Sequence, residues 1–305
     1  MSQSLTRYAW LSIGAAVVTI GLKGGAYLLT GSMGLLSDAL ESTVNLLAAI
    51  VALIVLNVAV RPPDEEHQFG HNKAEFFSSG FEGALILVAA ASIIVTSVNR
   101  LLNLQDIEQA GIGVVISLGA SLINLFVARV LLRASRQHNS ITLEADSHHL
   151  MTDVWTSVGV IIGVAAVAIT KLAWLDPVIA FLVALNIIWT GVNLVRRSLL
   201  GLMDTSISGD ENQKVLAVLE QYKQQEGIDW HAVRTRSAGS RSFISLHLLV
   251  PDQWTVRQGH ALAERIEQDI HAAVPTSTVF THVEPAGDPV SWQDEQLDRA
   301  AAQNA

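Results

Sequence analysis

Six long apolar runs separated by short polar breaks fill the first two-thirds of the chain, near residues 8 to 30, 34 to 60, 77 to 101, 111 to 133, 142 to 170 and 177 to 200. About 20 apolar residues in helical form span a bilayer, so the pattern predicts six transmembrane helices. The breaks are Thr30-Gly31-Ser32, the polar loop Arg61 to Lys73, the stretch Asn103 to Gln109, the run Arg136 to Ser140, and Lys171 to Pro177. Helices one and two, and five and six, are expected to form antiparallel hairpins. The first run follows a lone early positive charge, Arg7, and lacks a small-residue cleavage site, so it reads as a span and not as a signal peptide.

After residue 204 the pattern changes to that of a small α+β domain. Asp210 to Gln225 has helical periodicity opened by Ser208-Gly209-Asp210, and Trp230 to Thr235 and Ser242 to Val250 alternate as strands around Ala238-Gly239-Ser240. Thr255 to Val274 reads as an amphipathic helix and Ser277 to Glu284 as a third strand. Beyond Pro289 the chain turns polar and rich in Ala and Gln, which predicts a mobile tail. The expected domains are therefore a membrane part over 1–204, an α+β part over 205–288 and a tail over 289–305.

Composition supports a membrane protein: 50% of the 305 residues are hydrophobic, 15% are charged, and the mean hydropathy is +0.39. The net charge of −9 is uneven, because from Asp204 onward there are 15 Asp and Glu against 8 Lys and Arg. Such a domain suits cations and lacks the basic groups that neutralise phosphates, so nucleic acid is excluded as a partner. With the N-terminus inside, the inner flanks carry Arg7, Arg61, Lys73, Arg129, Arg133, Arg136, Arg196 and Arg197, and the outer flanks only Arg100 and Lys171. The positive-inside rule then puts both termini in the cytoplasm. There is no cysteine, so any metal site must use His, carboxylate, amide or water.

The chemistry sits where the apolar pattern is violated. His149 and Asp153 lie four apart, on one helix face, with Asp146 a turn earlier. Asp38, Glu41, Ser42 and Asn45 fall within a wedge of roughly 100° on the second helix. An ionisable group at the bilayer centre costs at least about 3 kcal/mol, so such clusters are retained for function. Two facing wedges make a four-ligand site, and the histidine favours zinc or another first-row ion over the all-oxygen preference of Mg2+ or Ca2+. Glu82 in the third run is a further neighbour. A second cluster is Asp64, His67 and His71 in the loop after the second helix. A third is His231, His247, His260, His282 and Glu284 in the α+β domain, where His282 and Glu284 share a strand face. His138 and His271 read as surface residues.

Leu36-Ser37-Asp38-Ala39-Leu40 in the second helix, Phe69-Gly70-His71-Asn72-Lys73-Ala74-Glu75 entering the third, and His149 to Asp153 in the fifth resemble the cation diffusion facilitator family over residues 5 to 288. Arg234-Thr235-Arg236-Ser237-Ala238-Gly239 and His282-Val283-Glu284-Pro285 make it most similar to the bacterial zinc and iron efflux type. The resemblance implies a ferredoxin-like, metallochaperone-like cytoplasmic domain and a homodimer in the inner membrane that exchanges cytoplasmic metal for external protons by alternating access. It implies no enzyme activity and no cofactor beyond bound metal, with Zn2+ the first expectation and Fe2+, Cd2+, Co2+, Ni2+ or Mn2+ open. By position its transport ligands are Glu41, Asn45, His149 and Asp153, with Asp38 a candidate to add a carboxylate. It also implies a loop site (Asp64, His67, His71), a cytoplasmic site (His231, His247, His260, His282, Glu284) and an ionic lock between Lys73 and Asp204. The departure is at Glu41 and Asn45, where the family's zinc transporters usually carry Asp or His and then Asp.

Proton coupling follows from ligand chemistry, because metal and proton compete for the same atoms and imidazole titrates at about 6.5. The rival readings are a monovalent cation/proton antiporter, which the neutral Asn45 makes reasonable, and a membrane metal sensor that does not transport. An intramembrane metallohydrolase is disfavoured because the chain has no His-Glu-x-x-His pair.

Overall fold

The computed structural model describes residues 3–30, 33–103, 112–170 and 172–292. The predicted turn residues Gly31 and Ser32, the stretch Leu104 to Gln109, Lys171 and the tail from Gln293 lie outside that set, as do the side chains of Asp38 and Glu41. Six long helices come first: α1 (Gln3–Thr30), α2 (Met33–Ala59), α3 (Ala74–Leu102), α4 (Ile112–His138), α5 (Ile141–Thr170) and α6 (Leu175–Leu202). Then follow α7 (Gly209–Glu226), β1 (Asp229–Ala238), β2 (Arg241–Val250), α8 (Val256–Ala273), β3 (Ser277–Pro285) and a short 3-10 turn at Pro289–Trp292. The chain divides into two compact units between Leu200 and Gly201.

Among the described residues, α1, α2, α3, α4 and α6 are long and apolar enough to cross a membrane. The remaining long helix, α5, has 30 residues, and several side chains of its second half lie outside the described set. Val88, Phe126 and Trp189 project outward from the helices, an arrangement that lipid tolerates and water does not. Inside, the bundle is built on small residues, with Ala48, Ala49 and Ala52 of α2 fully buried. Lipid tails are as apolar as leucine, so membrane helices gain from packing only by close approach, which small side chains permit.

Glycines bring α3 and α6 close together. A Cβ on Gly83 would lie 2.8 Å from Val195 Cγ2 and 3.2 Å from the Val195 backbone nitrogen, and one on Gly191 would lie 2.9 Å from Leu87. Ser198 of α6 also donates a hydrogen bond to the Phe76 carbonyl. Gly83→Leu therefore presses a side chain against Val195 and the α6 backbone, at a cost of about 1–3 kcal/mol or more. We expect a clear fall in the thermal midpoint of the purified protein, with Gly14→Leu, where no atom lies within 4 Å of the new Cβ, as the insensitive control.

The polar run Arg136 to Ser140 predicts a break, yet α4 continues to His138. Arg, Ser and Gln do not break a helix; the reversal is made by Asn139 alone, at φ +51. The Ser140 amide donates back to the Ser135 carbonyl at 3.1 Å, a Schellman-type closure that satisfies the helix end in two residues. That tight turn fixes where α5 starts relative to α4.

In the second unit the elements agree with the periodicity to within a few residues. Ser208 and Glu211 cap α7 reciprocally, and Gly227 at φ +67 ends it. Thr255 and Gln258 do the same at the start of α8. The sheet order is β1-β2-β3, with β1 antiparallel and β3 parallel to β2. A parallel neighbour requires a crossover, and α8 supplies it. Ile244, Leu246, Leu248 and Val250 on one face of β2 pack on Val215 and Leu219 of α7 and on Leu262, Ile266 and Ile270 of α8. The opposite face is left for chemistry.

Candidate metal centres

A polar knot in the bundle interior is assembled from three helices. Asp153 on α5 is buried, and its Oδ2 accepts two amide hydrogens, from Asn45 Nδ2 on α2 at 2.5 Å and from Asn124 Nδ2 on α4 at 2.8 Å. With its amide so oriented, Asn45 turns Oδ1 toward His149, whose Nε2 lies 2.6 Å away. The ring must then carry its hydrogen on Nε2. Among the described residues its Nδ1 is buried without a hydrogen-bond partner, as is Asn124 Oδ1. Two unused acceptors beside a buried carboxylate are the donor set that a cation needs.

An amide at position 45 is understandable from this geometry. A carboxylate there would face Asp153 at hydrogen-bond distance with no hydrogen to offer, whereas the amide donates to Asp153 and accepts from His149. The i, i+4 spacing of His149 and Asp153 brings both into one cluster, as the sequence suggests. Asn124 is the member that sequence reading missed; its only signal is being a lone amide inside the fourth apolar run.

Asp146 does not join the knot. It shares the α5 stripe but accepts a hydrogen bond from Ser12 of α1 at 3.0 Å. Glu82 is fully buried on α3 and accepts from Ser78 of its own helix.

The loop after α2 gathers a second group. Asp64, His67 and His71 each offer a ligand atom, all within 4.8 Å of one another. Gly70 at φ +85 turns the chain so that the two rings lie 4.4 Å apart, centroid to centroid. Asp64 Oδ1 accepts the backbone amides of Glu66 and His67 at 3.1 and 2.7 Å. The His67 amide, the His67 ring and the nearby His71 together hold this carboxyl below its usual value against an opposing effect of burial, the amide contributing most. It therefore stays ionised and ready for a cation down to acidic pH.

The third group lies on the open face of the sheet. Strand register sets His231 opposite His247 and His247 opposite His282, one row across three strands. Glu284, two residues along β3, is buried beneath it. Its Oε2 lies 2.8 Å from His231 Nε2, and its Oε1 lies 3.2 Å from His247 Nδ1 and 3.6 Å from His282 Nε2. A β-bulge between His231 and Arg234, with Ala232 at φ +50, aims His231 inward. Trp292 lies against the His231 ring, 5.7 Å between centroids. His231, His247 and Glu284 fit within one ligand-sized volume; His260 stands exposed on α8, outside that group.

Lys73 belongs to the first unit and Asp204 to the second. Asp204, at φ +59, pairs with Arg236 of β1 at 3.2 Å.

Comparison with known proteins gives these groups a setting. Residues 9–203 match the family model described as the cation efflux transmembrane domain, and residues 207–286 that of the cation efflux protein, cytoplasmic domain. The chain is 52% identical over 294 residues to the protein named "Uncharacterized transporter sll1263" of Synechocystis sp., covering 96% of this chain and 94% of that one. It is 29% identical over 276 residues to the cation-efflux pump FieF of Shewanella oneidensis, covering 90% and 92%. With FieF of Klebsiella pneumoniae the identity is 26% over 284 residues, covering 92% and 93%.

Proposed function

The chain belongs to the cation efflux family, a family of membrane transporters, and from that premise we propose that it exports a divalent transition-metal ion, Zn2+ first, in exchange for protons. The observation that carries the reading is the buried, unpartnered Nδ1 of His149 beside Asp153. That lone pair takes either a metal ion or a proton, never both, so loading one releases the other. Asn45 and Asn124 hold Asp153 while no metal is bound, and rotation of either amide would turn a carbonyl oxygen to the incoming ion. Glu41 and Asp38, on the same helix as Asn45, are proposed as added carboxylates. The ion is written here as cargo, bound from the cytoplasm and released outside when the bundle reorients.

The α+β domain is proposed as the dimerising and metal-sensing part, facing the cytoplasm of the inner membrane. Its row of His231, His247 and His282 over Glu284 suits a first-row ion, as does the loop group of Asp64, His67 and His71. Because all three centres lack sulfur and contain imidazole, binding at each is expected to weaken as pH falls.

The test is flux by the wild-type protein in proteoliposomes. Zn2+ movement should accelerate when the receiving compartment is made acidic and should collapse when the pH gradient is dissipated. Flux indifferent to the gradient would rule out antiport, and Na+-driven proton movement at the rate seen with Zn2+ would favour the monovalent exchanger instead.

A further inference from the structure

Two buried carboxyls remain outside the knot that holds Asp153. Glu82 is completely buried on α3 and Asp146 is 1% exposed on α5. Each has one oxygen engaged by a hydroxyl: Ser78 Oγ donates to Glu82 Oε1 at 3.3 Å, and Ser12 Oγ of α1 donates to Asp146 Oδ1 at 3.0 Å. The other oxygens, Glu82 Oε2 and Asp146 Oδ2, are buried with no hydrogen-bond partner among the described residues. The carboxyls are close enough for the charge of Asp146 to act directly on Glu82. The helices that carry them are packed at this level, with Ile86 of α3 and Ala145 of α5 in one apolar cluster. Leu143 and Leu150, on either side of Asp146, pack with Ala9 of α1 in another.

From this arrangement we propose that Glu82 and Asp146, with the hydroxyls of Ser12 and Ser78, form a second intramembrane site for a divalent cation, built of oxygen donors alone. A hydroxyl satisfies one lone pair but brings no countercharge, and two buried carboxylates on packed helices are not tolerated without one. A dication supplies both charges at once, and an all-oxygen set matches the hard ions. The site neighbours the first: Asp146 stands one turn from His149, about 4.5 Å along the axis of α5, and seven residues, about 10 Å, from Asp153. Its other donors come from α1 and α3, whereas those of the first come from α2 and α4. In the proposed orientation it lies on the cytoplasmic side of the first site, where an ion would wait before transfer; that role rests on the proposed function, the site itself does not.

Mn2+, a hard ion that is counted directly, is the probe. Full-length protein at saturating Mn2+ should lose one bound ion per protomer in E82Q/D146N, a different one in D153N, and both in the combined variant. S12A/S78A keeps both carboxyls and guards against a folding failure; it should weaken the same class of sites about tenfold. Undiminished Mn2+ uptake by E82Q/D146N would overturn the proposal, as would a combined variant that loses no more than D153N alone. Unchanged uptake together with an altered pH dependence of flux would also overturn it and leave the pair as a proton carrier. Loss of the second ion with D153N behaving as wild type in binding and flux would support this site while defeating the proposed transport centre.

Discussion

Asp153→Asn should reduce metal flux at least about 100-fold, beyond the 10- to 100-fold typical of losing a residue that merely supports a ligand. Asp153 is the carboxylate at which α2, α4 and α5 meet, and its Oδ2 accepts both Asn45 Nδ2 and Asn124 Nδ2. The asparagine keeps the shape and an acceptor oxygen, so both amides stay satisfied and the thermal midpoint should change little. What disappears is the negative charge that a dication needs in a low-dielectric interior. Asp153→Ala should abolish flux equally and also destabilise, because two buried amide donors lose their acceptor, at about 1–3 kcal/mol each. Paired flux and melting measurements separate the two effects. Near-normal flux in the asparagine variant would remove Asp153 from the transport centre.

Much of this centre was legible in the sequence, and the reason is helical geometry. His149 and Asp153 announce themselves because four-residue spacing puts both on one face of an apolar helix. Asn124 has no such companion on α4, and its partner is 29 positions away in sequence, a relation that no local spacing encodes. Asp146 misled for the opposite reason. It shares the stripe of Asp153, but periodicity gives angle and not the neighbour met at a given depth, and at its depth the neighbour is Ser12 of α1.

The sheet teaches the same lesson in another form. Alternation assigns His247, His282 and Glu284 to strand faces, since side chains point to opposite sides with a period of two. It does not give register, and a one-residue slip would have scattered the row. The alignment of His231 with His247 depends on the bulge at Ala232, an alanine in left-handed backbone that carries no signal in composition. His260 could be reached only by positional resemblance, because it lies on α8, off the strands whose alternation marks the other histidines. The helix ends were readable where caps were explicit, at Ser208 and Thr255, and misread at Arg136 to Ser140, where a single Asn turns the chain.

Asn45→Asp tests why the chain carries an amide where zinc transporters of the family usually carry an acid. In the structure the amide does two things, donating to Asp153 at 2.5 Å and accepting from His149 at 2.6 Å. A carboxylate keeps the second contact and loses the first, so the metal-free site must hold two facing acids, which share a proton or recruit a cation. A unit charge about 4 Å from another is worth roughly 4 kcal/mol at an effective dielectric of 20, and twice that for a dication. Desolvation and the competing proton offset most of this gain. A net tightening of about ten- to a hundredfold is therefore expected, as a lower half-saturating Zn2+ concentration for flux. The same added charge should slow release, so maximal flux falls, and the half-saturating concentration should rise more steeply as the loading side is acidified. Total binding would count the loop and sheet groups as well, whereas flux requires passage through the transport centre, which is why flux is the proper readout. If half-saturation, maximal rate and pH dependence all stay at wild-type values, Asn45 does not contact the ion, and selectivity must be set elsewhere on α2.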